Sequence, residues 1–320
     1  MVKEIFLLLV VVMSCKSINP KDSPKDEFVV AFGSCNHQWD PQTIWAEVIK
    51  NDPDLWMWTG DIVYADTEDM DKLNRDYNHL KSTPGYQNLL LQCPVVGVWD
   101  DHDYGANNAG KDYPKKDESK EALFRFLDVS VDNPAGQRPG AYQSYDYVHK
   151  DVQIKLILLD VRYFRDDIGT AGGTILGEEQ WKWLDQETQS NADLTIIAGG
   201  IQFLHTEHRF EKWYNYPREY QKLLDLIDRN DSSNVILISG DRHIGEIAQY
   251  SYPDGQVIHE VTASGLTHSY EKSTETNSLR VGPLIKTINF GVLRISEDRV
   301  HLELHNQHNQ VVSHHEIQLE

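Results

Sequence analysis

The chain has 320 residues, of which 40% are hydrophobic and 25% charged, a balance that suits one large globular domain or two small ones. Its 50 acidic side chains against 30 basic ones give a formal net charge of -20, which argues against nucleic acid as a binding partner, because phosphate backbones are drawn to basic surfaces. A small phosphorylated substrate stays open, since bound cations reverse the local field of a carboxylate-rich site.

The first element in the chain is an export signal. Lys3 precedes an apolar run from Ile5 to Met13, which is too short to span a bilayer as a helix. The run ends in Val12-Met13-Ser14-Cys15, which resembles a bacterial lipobox. That resemblance implies a lipoprotein signal peptide over residues 1–14, cleavage before Cys15 and lipid on the Cys15 sulfur; a plain signal peptide with an incidental cysteine is the alternative. Residues 15–26 are rich in Lys, Ser, Pro and Asp and read as a flexible tether. Residues 27–320 then form one domain, with no internal repeat, low-complexity tract or linker. The expected location is extracytoplasmic, held by lipid to a bacterial membrane. With Cys15 lipidated, Cys35 and Cys93 remain, and in an exported protein two thiols suggest a disulfide unless one has another use.

Phe28 to Phe32 reads as a buried strand ending at Gly33-Ser34-Cys35. The pattern predicts a helix over Asp40 to Asn51, a strand from Leu55 to Thr59, and a mostly helical stretch from Met70 to Leu91 broken near Pro84-Gly85. Val95 to Trp99 is a third strand. Asp112 to Leu127 begins as a charged loop and becomes an amphipathic helix, and Ala141 to Tyr147 with Val152 to Leu159 form a hairpin. Helices follow over Glu178 to Gln189 and Pro217 to Arg229, with strands at Leu194 to Ala198 and Val235 to Ser239. The tail reads as strands at Val257 to Thr262, Thr287 to Ile295, Val300 to His305 and Val311 to Gln318. Early alternation and late strands predict an α/β fold: a four-layer sandwich of two mixed β-sheets flanked by helices. Ligand sites in such sheets gather at the carboxyl ends of strands.

Acid-bearing blocks stand at several of those ends. Gly60-Asp61-Ile62-Val63-Tyr64-Ala65-Asp66, Trp99-Asp100-Asp101-His102-Asp103 and Gly240-Asp241-Arg242-His243 each follow an apolar run. Asp61 has two oxygens with which to bridge a pair of cations. Asp101 and His102 sit side by side, one for metal and the other facing substrate. Asp241 and His243, two apart, project together from extended backbone. Cys35 and Tyr64 offer a thiolate and a phenolate; a tyrosine ionised at neutral pH needs a strongly polarising cation. That donor set points to iron as one metal and to Ca²⁺ or another hard cation on the oxygens. Taken singly, each block also reads as a turn or a solvated loop.

Together the blocks carry a family resemblance. Phe32-Gly33-Ser34-Cys35-Asn36, Gly60 to Tyr64, Trp99 to Gly105, Leu158-Leu159-Asp160-Val161-Arg162 and Ser239 to His243, with the Gln180 to Leu184 helix, resemble the PhoD-like alkaline phosphatase / phosphodiesterase family of metallophosphoesterase-type hydrolases. The resemblance implies an Fe³⁺–Ca²⁺ centre, with Cys35, Asp61, Tyr64 and His243 around iron and Asp61 bridging to a second metal held by Asp101 and Asp241. Asn107 or Asn108 would complete the calcium side. It also implies hydrolysis of phosphate mono- or diesters by a metal-activated hydroxide attacking phosphorus. His102 is the candidate for stabilising the transition state or protonating the leaving group, or else it orients Asp101. Arg162 would clamp a substrate oxygen, or else pair with Asp160 or Asp166. The chain is shorter than many members and lacks their long N-terminal β-domain. Two rival functions remain open: a phospholipid or phosphate-polymer hydrolase on the same scaffold, and a non-catalytic surface binding lipoprotein using Trp39, Trp56, Trp58, Trp181, Trp183 and Trp213.

Overall fold

Side-chain alternation along the strands decides the layering. The computed structural model describes residues 25–229 and 234–319. In chain order it runs β1 (Phe28–Gly33), α1 (Ile44–Ile49), β2 (Leu55–Thr59), α2 (Met70–Ser82), α3 (Pro84–Gln92), β3 (Val95–Val98), α4 (Asp101–Tyr104), α5 (Lys116–Phe126), β4 (Gln143–His149) and β5 (Val152–Leu158). There follow α6 (Gly177–Glu187), β6 (Leu194–Ala198), α7 (Pro217–Arg229), β7 (Asn234–Ser239), β8 (Gly245–Ser251), β9 (Val257–Ala263), β10 (Arg280–Ile285), β11 (Asn289–Ile295), β12 (Arg299–Asn306) and β13 (Val311–Gln318). One sheet has the order β13-β12-β11-β1-β2-β3 and the other β10-β8-β9-β7-β6-β5-β4. Both are mixed: β1, β2 and β3 run parallel, as do β5, β6, β7 and β9, while β11 to β13 add antiparallel strands to the first sheet.

In the seven-stranded sheet Leu156, Leu158, Ile196, Ala198, Ile236 and Ile238 face the core shared with the first sheet. Their neighbours Ile157, Ile197, Val235 and Leu237 point the other way, into a second core against α6 and α7. A period of two in strands buried on both faces produces this double core, and each such side chain contributes roughly 1.5–3 kcal/mol. β1 and β2 are buried along their whole length.

Most predicted elements are present with boundaries moved by a few residues. The first helix is confined to Ile44–Ile49, because Gln42 folds its side chain back onto the carbonyls of His37 and Asp40 ahead of it. β8 and β10 were not predicted. β10 carries Gly282 and Pro283, lies at the sheet edge, and pairs with β8 through a register shift, as a strand interrupted by Gly-Pro must. Cys35 and Cys93 are both buried and unpaired, so the disulfide alternative does not hold. Trp56, Trp58 and Trp213 are fully buried and Trp181 nearly so, which leaves only Trp39 and part of Trp183 for a binding surface. Trp39 is 60% exposed and stacks on His79 at 3.9 Å. The expected signal peptide, Cys15 and almost all of the expected tether lie outside the described residues. At the tether's end Lys25 is pinned to the domain by Asp54 at 3.1 Å. Among the described residues no helix is long and apolar enough to cross a membrane.

Candidate metal centre

The carboxyl ends of β1, β2, β3 and β7 converge; β1, β2 and β7 hand over to irregular turns and β3 to a short helical turn, each carrying a ligand-type side chain. Cys35, Asp61, Asp241 and His243 all adopt left-handed backbone, at φ of 59°, 48°, 65° and 55°. Glycine takes this region most readily and Asp, Asn and His less so, so the cysteine held there marks a site whose geometry is imposed by its surroundings. The close packing starts at Gly60, whose φ is +89° and whose missing Cβ would lie 2.4 Å from the Asp100 Cβ. Across the sandwich, a Cβ on Gly200, just beyond β6, would lie 2.2 Å from Asp100 Oδ1. These two glycines let the sheet ends close on Asp100. Asp100 in turn starts α4, a single turn with a capping box in which its backbone N–H donates to Asp103 Oδ1 at 2.8 Å. This turn, unforeseen in the sequence, aims Asp101 and His102 into the cluster.

Asp61 stands in the middle. Its Oδ2 lies 3.5 Å from Cys35 Sγ and accepts from the Tyr64 hydroxyl at 3.3 Å; its Oδ1 accepts the His102 backbone N–H at 3.4 Å. Tyr64 Oη lies 3.0 Å from His243 Nε2. Three ligand sets are close enough to surround an ion: Cys35, Asp61 and His243; Asp61, Asp101 and His102; and Asp100, Asp101 and Asp241. The structure therefore brings together all six predicted metal ligands, Cys35, Asp61, Tyr64, Asp101, Asp241 and His243.

The electrostatics fit a cationic occupant. Burial raises the Asp61 carboxyl well above its usual range, and the charges of Asp101 and Asp100 raise it further. Burial also pushes Asp241 up to about 7. Cys35 and Tyr64 are raised by burial and by Asp61, and His243 is lowered to about 3 by burial, with help from His268 and Arg242. Without cations, this pocket favours the neutral forms of Asp61, Cys35, Tyr64 and His243, whereas Asp101, against its burial, is held below the usual carboxylate range by the Arg162 charge. Asp100 Oδ2 and Asp101 Oδ1 are buried with no hydrogen-bond partner, an arrangement that costs about 1–3 kcal/mol per group unless something fills it. Donors of this chemistry suit metal ions: sulfur, phenol oxygen and imidazole on one side, carboxylate oxygens on the other.

The two predicted catalytic residues fare differently. His102 borders the cluster: its Nδ1 lies 2.8 Å from an Asp66 oxygen, its ring packs on Tyr64 at 4.2 Å between centroids, and one ring nitrogen lies within 4.8 Å of carboxylate oxygens of Asp61 and Asp101. Burial alone would lower its pKa, but the Asp66 hydrogen bond and the Asp101 charge raise it. Arg162 is fully buried. Its Nε donates to Asp100 Oδ1 at 2.6 Å, and Nη1 lies 2.6 Å from Glu211 Oε2. A guanidinium enclosed in this way cannot clamp a substrate oxygen, and its charged partners are Asp100 and Glu211 rather than Asp160 or Asp166. Asn107 and Asn108 approach through their backbone: Asn107 N–H donates to Asp66 at 3.1 Å and Asn108 N–H to Asp101 Oδ2 at 2.6 Å. The His205 to Tyr216 segment is largely packed inside, and Glu211 is its contribution to the cluster.

Asp66, Asp100 and His268 have no assigned role in the sequence reading, and Glu211 belongs there only to the His205 to Tyr216 segment, read as a pocket wall near the site or an aromatic surface loop. Asp66 meets His102 because the Ala65 and Asp66 N–H groups donate to the His102 carbonyl, a tertiary contact with no spacing signal. The His268 ring stands edge-on to His243 at 4.3 Å and to Tyr64 at 5.1 Å. It also walls a cleft of about 380 Å³ lined by Thr267, Glu271, Thr287 and Gln307 among others.

A cluster of metal-ligand side chains where the strands of two mixed sheets end, with helices outside, defines a metallophosphoesterase-like protein. The chain belongs to the PhoD-like phosphatase family, whose profile matches residues 28–314. It is 24% identical over 280 residues to alkaline phosphatase D of Bacillus subtilis (strain 168), a match covering 68% of this chain and 46% of that protein, so the likeness reaches less than half of the relative's length. A solved structure of PhoD superposes with a TM-score of 0.75 at 16% identity, covering 93% of this chain and 71% of that one. Purple acid phosphatase PPD1 from yellow lupin (Lupinus luteus) seeds gives 0.64 at 14% identity, covering 91% and 54%. At these identities the structural likeness carries the fold.

Proposed function

We propose that the protein is an exported, lipid-anchored, metal-dependent hydrolase of phosphate mono- or diesters. The observation that carries this reading is the convergence of Cys35, Tyr64, His243 and Asp61 beside Asp101 and Asp241, with two carboxylate oxygens buried and unpartnered. Cys35, Tyr64 and His243 would hold iron, because thiolate, phenolate and imidazole suit a polarising transition metal. Asp101 and Asp241 would hold Ca²⁺ through hard oxygens, with Asp61 shared between the two. The ions supply charge to neutralise the phosphoryl oxygens and to acidify a water.

The chain's own groups do the rest. His102, whose pKa the Asp66 hydrogen bond and the Asp101 charge raise against its burial, stands at the cluster as a donor to the departing oxygen. Arg162 orients Asp100 from behind. The cleft beside His268 would offer the leaving group a polar wall. Export rests on the apolar run from Ile5 to Met13, and lipid attachment on Ser14-Cys15; Cys15→Ser is expected to move the protein from the membrane to the soluble fraction.

The test uses purified protein lacking the signal peptide, assayed for metal per chain, visible absorption and phosphate release from p-nitrophenyl phosphate and bis-p-nitrophenyl phosphate. Iron near one per chain, an absorption band lost in Tyr64→Phe, and turnover lost in Asp101→Ala are the expected results. Protein with no bound metal and no release from either ester would leave the binding-lipoprotein reading in its place.

A further inference from the structure

The two oxygens of Asp101 are governed by two separate arms that start from one buried residue. Glu211 is 5% exposed. Its Oε2 lies 2.6 Å from Arg162 Nη1, and its Oε1 lies 3.1 Å from Arg165 Nη1. The first arm runs through Arg162, whose Nε is anchored on Asp100 and whose Nη2 stops 4.0 Å short of Asp101 Oδ1. The second runs through Arg165, which donates from Nη2 to the Asn108 carbonyl and from Nη1 to the Tyr216 hydroxyl. Asn108, in left-handed backbone at φ 57°, then donates its N–H to Asp101 Oδ2 at 2.6 Å. One oxygen of Asp101 is thus hydrogen-bonded and the other is not, and Arg162 Nη2, 4.0 Å from the free oxygen, has no hydrogen bond of its own.

We propose that Glu211 is a positioning residue: by engaging Arg162 and Arg165 together it keeps the Arg162 guanidinium off Asp101 and leaves Asp101 Oδ1 aimed at a bound cation. This rests on the reading that cations occupy the cluster. Buried charge balance is the physical reason. Two arginines face two carboxylates, Glu211 and Asp100, so Asp101 keeps its charge for the metal. Neutralising Glu211 leaves an excess positive charge in a low-dielectric interior. The next carboxylate in reach of Arg162 after Asp100 is Asp101, and closing a 4.0 Å gap is a rotamer adjustment. An oxygen captured by Arg162 is an oxygen lost to the cation.

The experiment titrates Ca²⁺ into chelator-stripped, iron-reloaded protein by calorimetry, for wild type and Glu211→Gln, with the thermal midpoint recorded alongside. Wild type is expected to bind Ca²⁺; Glu211→Gln is expected to bind it about 10–100-fold more weakly, the usual cost of removing a partner that orients a ligand, while keeping its iron and visible band. Glu211→Asp, which restores the charge on a shorter arm, is expected to recover part of the loss. A lower midpoint with unchanged Ca²⁺ affinity overturns the proposal and makes Glu211 a purely structural residue. If Glu211→Gln does not fold, Glu211→Asp decides: its shorter arm cannot engage both arginines as Glu211 does, so weaker Ca²⁺ binding supports the proposal and unchanged binding overturns it. A wild type that binds no Ca²⁺ at all fails the underlying cation reading instead, a result distinct from an unchanged variant.

Discussion

The two halves of the cluster are held in place by different physics. Around Cys35 and His243 the ligands are fixed by the main chain: both residues, and Asp61 between them, sit in left-handed backbone that no independent turn would choose for them. Around Asp101 the ligand sits in an ordinary helical turn, and its aim is set by charges behind it, Arg162 and Arg165 balanced by Glu211. The first half is therefore sensitive to what the turn will tolerate. The second is sensitive to substitutions that never touch an ion. Asp61 belongs to both, one oxygen toward Cys35 and Tyr64 and the other toward the Asp101 side.

The largest effect is expected where the halves meet. Asp61→Asn removes the shared charge and is expected to lose both cations and to lower kcat/KM by at least about 10³-fold, whereas a change confined to one half costs one cation. Metal per chain, measured beside kcat/KM, checks this. An Asp61→Asn protein that keeps both ions would mean that the halves are independent sites and would break the comparison.

Removing the ions themselves separates charge relief from backbone restraint. Asp241 is raised by burial from 3.8 to about 7. In the chelated protein its folded state holds a proton that the unfolded chain releases near pH 4. A raised acid of this kind contributes most stability at low pH and loses it as pH climbs from about 4 to 7, on the order of a few kcal/mol. Bound cations replace that proton and remove the penalty. The difference in thermal midpoint between metal-loaded and chelated protein is thus expected to be larger at pH 8 than at pH 5. Comparing the two forms at each pH cancels the titration of carboxylates elsewhere. A gap that shrinks toward pH 8 would show that Arg242, 3.7 Å from Asp241, already carries the compensating charge.

The same contrast explains what was legible in the sequence. Cys35, Asp61, Tyr64, Asp241 and His243 lie within a few residues of a strand end, so strand patterning together with Gly-Asp punctuation located them. The elements themselves were readable where, as in β2, β6 and α7, hydrophobic periodicity and breakers coincide. β8 and β10 were not, since β8 starts at Gly245 straight after the site loop and β10 is broken by Gly282-Pro283. The charges behind Asp101 left no trace of that kind. Glu211 lies 110 positions from Asp101, in a segment without regular structure, and only the folded arrangement turns it toward Arg162 and Arg165. Arg162 itself was visible in its motif, but burial is what assigns it to Asp100 and not to a substrate.

The smallest expected effect is at Asn108, where the two kinds of restraint meet in one residue. The family resemblance offers Asn107 or Asn108 as a ligand through the side-chain amide, yet the Asn108 amide donates to Asn107 Oδ1 at 2.7 Å and the backbone N–H is what reaches Asp101. Asn108→Gly deletes the amide, keeps the N–H, and adopts φ 57° without strain. Ca²⁺ affinity and kcat/KM are expected to change by less than about threefold, under roughly 0.7 kcal/mol. Asn108→Ala keeps the N–H as well but adds a left-handed strain of about 1 kcal/mol, so it is expected to lower the thermal midpoint more than Asn108→Gly and to leave the ion in place. A tenfold or larger loss of Ca²⁺ affinity in the glycine variant would turn the amide into a ligand. The Asp101 half would then be built, like the Cys35 half, from a side chain carried on strained backbone.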